Sequence, residues 1–85
     1  MPPLIHAPSQ EAVALARALI REPQELPSCA DPDLATAVAA VAAGLDEYDL
    51  RLIAQVAGEP PPSPKREVLE LAMAQRIERM RMLGR

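Results

Sequence analysis

Residues 63–83, Ser63-Pro64-Lys65-Arg66-Glu67-Val68-Leu69-Glu70-Leu71-Ala72-Met73-Ala74-Gln75-Arg76-Ile77-Glu78-Arg79-Met80-Arg81-Met82-Leu83, read as one helix longer than any other in the chain. A serine at the N-cap accepts a hydrogen bond from a first-turn amide that has no helical partner. Ser63 takes that place, and Pro64 follows at the first helical position, where a missing N–H costs nothing. No Pro or Gly interrupts the run until Gly84, a residue type suited to ending a helix. Arg76, Arg79, Arg81 and Arg85 load the C-terminal turns with the sign of charge that the helix dipole favours there. At about 1.5 Å per residue, this helix is roughly 30 Å long.

Its two halves differ. Val68, Leu69, Leu71, Ala72, Met73 and Ala74 place apolar groups almost all round the helix, a pattern that demands neighbours on more than one side. Past Gln75 a single stripe survives, Ile77, Met80 and Leu83, set among arginines.

Upstream lies Glu59-Pro60-Pro61-Pro62-Ser63-Pro64, expected to be a stiff polyproline-like spacer. Three shorter helices precede it. Ser9 opens the first, in which Ala12, Leu15, Ala16, Leu19 and Ile20 recur at the spacing of one buried face. Pro23 ends it, and a linker follows in which Leu26 is expected to plug the core. Asp31-Pro32, an N-cap aspartate before a first-position proline, opens the second. That helix is rich in alanine, with Leu34, Val38, Val41 and Ala42 facing inward, and is the candidate for the most buried one. Asp46 caps the third, where Leu52, Ile53 and Val56 face in and Tyr48 lies at the core edge. The expected fold is therefore all-α: a loose arm over residues 1–8, then one four-helix domain with helices at about 9–22, 32–43, 46–57 and 64–83.

Composition narrows the function. At 85 residues the chain is one domain with a small core. A hydrophobic content of 49% argues against wholesale disorder. Cys29 is the sole cysteine and His6 the sole histidine, which excludes an internal disulfide and the usual four-ligand Cys/His zinc site. Low cysteine usage suits a reducing cytosol, and no apolar run is long enough to span a bilayer. There is no glycine-rich loop, because Gly44, Gly58 and Gly84 all sit at expected helix ends. Asp46, Glu47 and Asp49 lack the ligand number and central glycine of a calcium loop. Catalysis, a cofactor, a metal and a small-molecule substrate are therefore not expected.

Charge is divided along the chain. Residues 1–64 carry three basic against nine acidic side chains, a net of −6, and residues 65–85 carry six against three, a net of +3. A basic closing helix suits an acidic protein or a nucleic acid. For nucleic acid, the proline-rich connection is longer than a helix-turn-helix turn. The last helix also lacks Asn, Thr and aromatics for reading or stacking on bases.

Protein binding, to a copy of itself or to a larger partner, fits more features. Companions of about 10–14 residues span roughly 15–20 Å and leave part of a ~30 Å helix uncovered. The expected overhang runs from Arg76 to Leu83, and methionine suits adaptable binding surfaces. The residues assigned to partner binding are Met73, Arg76, Ile77, Arg79, Met80 and Leu83.

Overall fold

The computed structural model describes residues 7–83. Four helices follow in order: α1 (Gln10–Arg21), α2 (Pro32–Ala43), α3 (Glu47–Ala57) and α4 (Pro64–Leu83). The molecule is a small all-α domain with a longer C-terminal helix, and no strand occurs among the described residues. Most of the arm expected over residues 1–8, and Gly84 with Arg85, lie outside the described residues.

Side-chain caps set the helix starts. The Ser9 hydroxyl accepts from the Ala12 amide at 3.2 Å. Asp31 accepts from the amides of Asp33 and Leu34. Asp46 and Asp49 form a reciprocal capping box: the Asp49 amide donates to Asp46 Oδ1 at 2.8 Å and the Asp46 amide to Asp49 Oδ2 at 3.1 Å. Ser63 Oγ accepts from the Arg66 amide at 3.2 Å and donates to Glu59 Oε1 at 2.7 Å, which ties the proline bridge to the first turn of α4. The Pro61–Pro62 peptide bond within that bridge is cis.

α4 is the spine, and α1 and α3 run antiparallel along it. Ser9 donates to Glu78 Oε1 at 3.0 Å, and Arg17 Nε donates to Glu70 Oε1 at 3.2 Å. Thus α1 advances from 9 to 17 while α4 retreats from 78 to 70. Asp49, at the start of α3, pairs with Arg76 at 3.4 Å, while the far end of α3 meets Arg66. The C-terminal end of α2 lies beside Arg76, Arg79 and Met80.

Between them these helices close one core. Leu19, Leu34, Val38, Met73 and Ile77 are its largest fully buried side chains, each contributing roughly 1.5–3 kcal/mol by leaving water. All five inward residues of α1 are buried, and in the alanine-rich α2 Leu34, Ala37, Val38 and Val41 are. Cys29 packs against the core, its thiol pointing at the Asp31 carbonyl. Leu26 does not plug it and stands exposed, as does Tyr48, which projects beyond the core edge.

The expected overhang is corrected. Met73 and Ile77 are 1% and 0% exposed, sealed inside the single chain. α1 and α3 lie along much the same stretch of the spine, between Arg66 and Glu78, and the end of α2 covers its distal part. The start of α1 reaches Glu78 and the end of α2 reaches Met80. Met80, at the edge of that coverage, is 37% exposed, and only the last turn extends beyond it, with Met82 and Leu83 each 71% exposed. A second apolar surplus lies nearer the start of α4, at Val68 (67% exposed) and Leu71 (48%). These belong to the half of α4 whose sequence asks for neighbours all round, and the described chain leaves them largely uncovered.

Candidate partner-docking surface

α3 is held to α4 mainly by polar pins at its two ends. At its N-terminus Asp49 serves both the capping box and the ion pair to Arg76. At its C-terminus the Arg66 guanidinium donates through Nη2 to the carbonyls of Val56 (2.6 Å), Ala57 (3.3 Å) and Glu59 (3.0 Å). Carbonyls at a helix end have no partner within the helix, so this arginine does the work of a C-cap. Between the pins α3 buries only Ile53 and Val56.

That sparse contact leaves an open apolar groove on the solvent side of the α3–α4 pair, with a volume of about 550 Å³. Leu52, Gln55 and Val56 form the α3 wall, and Val68, Leu69 and Ala72 form the α4 wall. Pro64 and Lys65 close the proline end. Val68 and Ala72 of the α4 wall are exposed, and Leu69 is half-buried against the core.

The six residues assigned from sequence do not form one site. Met73 and Ile77 belong to the core. Arg76 is engaged by Asp49. Arg79 is exposed and has no hydrogen-bond or ion-pair partner among the described residues. With Met80 and Arg76 it borders a shallow depression against Ala40, Val41 and Gly44. Leu83 is exposed at the tip. Sequence reasoning passed over Leu52, Gln55, Val68, Leu69 and Ala72. The available signal was the all-round apolar half of α4 set beside an α3 with few inward residues.

Most arginines are committed within the chain. Arg17 pairs with Glu70, Arg76 with Asp49, and Arg81 with Glu78 at 3.4 Å, while Arg66 holds the α3 carbonyls. Arg51 lies 3.8 Å from Glu47 on the open face of α3. The net +3 of the closing segment therefore presents little concentrated positive charge. Among the described residues no group of three or more His, Cys, Asp or Glu is placed to hold a metal ion. No described helix is long and apolar enough to cross a membrane. Ser63, the one buried polar side chain among the described residues, is fully used in capping. Comparisons with known protein families, characterised proteins and solved structures find no match for this chain.

Proposed function

We propose that the protein is a non-catalytic interaction module that docks a partner protein in the groove between α3 and α4. The observation that carries this reading is the apolar wall of Leu52, Val68, Leu69 and Ala72, left open on a domain this small. Contiguous exposed apolar surface costs solubility and marks interaction sites in soluble proteins. The notion of a docking helix is retained from the sequence, with its contact face moved from the Ile77 stripe to the Val68 side. Engagement of four arginines in intramolecular contacts supports a protein partner over nucleic acid, because phosphate binding draws on uncommitted cations.

A photo-crosslinking amino acid at Val68 tests this in the native host, with the same probe at Gln10, on the exposed side of α1, as control. A discrete protein adduct is expected from position 68 alone. The purified adduct protein should then bind the parent chain in calorimetry, and Val68→Glu should weaken it at least about tenfold, as expected for a charge placed in a desolvated contact. No adduct above the Gln10 control, or unchanged binding by a folded Val68→Glu chain, overturns the proposal.

A further inference from the structure

The groove has a sign as well as a shape. Resting on the docking reading above, we infer that its occupant is an acidic amphipathic helix of a partner protein, about four turns long, lying along α4 from Lys65 to Arg79. Lys65, Ala72 and Arg79 are spaced i, i+7, i+14, so each is rotated roughly 20° from the next and the outer two about 40° from one another, with Val68 close beside. Both cations are exposed, and neither has an ion pair or side-chain hydrogen bond among the described residues. They sit about 21 Å apart along the axis: Lys65 closes the proline end of the groove, and Arg79 lies two turns past Ala72, bordering the depression against α2.

The carboxylates of α4 all lie away from this row. Glu67, Glu70 and Glu78 fall about 120–160° from Ala72 around the helix. Glu70 and Glu78 are turned to α1, where they meet Arg17 and Ser9. The facing wall of α3 carries Leu52 and Gln55 and no charge. Of the acids nearest the groove ends, Asp49 is paired with Arg76, while Glu59 accepts the Ser63 hydroxyl, keeps its charge and borders a separate depression along the proline bridge that Lys65 also lines. Glu47 is remote on the open face of α3, beside Arg51. An apolar trough with an uncommitted cation at its proline end, another further along the same side of α4 and no carboxylate in its lining complements a helix with apolar anchors at i, i+3, i+4 and i+7 and acidic flanks. A basic or neutral helix of the same shape would leave both cations unanswered.

The test uses the full chain and two fluorescein-labelled 14-residue peptides. They share leucines at i, i+3, i+4 and i+7 and differ only in having Glu or Lys at every flanking position. Anisotropy is expected to show the Glu peptide binding roughly tenfold tighter than the Lys peptide at low salt. The gap should narrow in 1 M salt, where screening acts within about 3 Å. The double reversal Lys65→Glu with Arg79→Glu should invert the preference while leaving the circular dichroism spectrum unchanged. If the Lys peptide binds as well as the Glu peptide, the inference on charge is overturned and the docking groove stands. If neither peptide binds and ultracentrifugation finds dimers that Val68→Glu dissociates, the occupant is a second copy and the acidic-helix assignment is again overturned. Failure of both peptides with no self-association overturns the groove reading as well. So does duplex DNA binding more tightly than either peptide.

Discussion

Ile77→Ala is expected to cost about 3 kcal/mol of folding stability. The residue is 0% exposed, on the face of α4 that packs into the core. Truncation removes three carbons, worth about 0.8 kcal/mol each in transfer alone, or ~2.4 kcal/mol. The cavity left among packed neighbours adds to that, placing the total within the roughly 2–5 kcal/mol seen for such changes. A domain of this length holds only about 4–13 kcal/mol in all, so the loss is a large share. At about 4–8 °C per kcal/mol for a domain of this size, the midpoint of a thermal melt followed by circular dichroism should fall by roughly 12–24 °C. Urea titration should show the same loss with an unchanged slope. Met80→Ala, one turn further and partly exposed, should stay within about 1 kcal/mol of the parent. If Ile77→Ala melts within about 4 °C of the parent, or if Met80→Ala costs as much, the packing described for the distal half of α4 is wrong.

Other perturbations probe the remaining joints. Arg66→Ala removes the donor to three α3 carbonyls and should cost roughly 1.5–3 kcal/mol, with hydrogen exchange rising first at the C-terminal turn of α3. Asp46→Ala breaks the capping box and should cost about 0.5–2 kcal/mol by urea denaturation. Arg76→Gln should cost no more than about 1 kcal/mol, because its pair with Asp49 is only partly screened from solvent, and that cost should shrink in salt. Val68→Glu lies on open surface and should change stability by no more than about 0.5 kcal/mol while removing partner binding.

Much of the fold was legible because its signals are local. Ser9, Asp31, Asp46 and Ser63 act as helix caps where their positions before each run suggested, and the inward face of α1 follows its periodicity residue for residue. The candidate site was less legible because it depends on how helices are offset along α4. Ile77 and Met80 share a stripe, yet one is buried and the other is not, since Met80 lies past the start of α1 and only the end of α2 borders it. The role of Arg66 was likewise hidden. Nothing in Lys65-Arg66-Glu67 says that one cation reaches back to the carbonyls of the preceding helix while its neighbour stays free. Of the arginines near the end of α4, Arg76 is drawn across to Asp49 and Arg81 pairs with Glu78 on its own helix, neither of which follows from the helix dipole. The apolar excess of residues 68–74 was visible from the start. Its direction was not, because it takes the position of α3 to show that Val68 and Ala72 face an open side.

Methyl-resolved NMR of the full chain, titrated with the Glu-flanked 14-residue peptide, tests the placement of the docking surface most directly. The account predicts shifts concentrated at Leu52, Val68, Leu69 and Ala72, with Ile77 and Leu19 unmoved. Shifts centred on Met80, Met82 and Leu83 would contradict it and restore the distal tip of α4 as the contact.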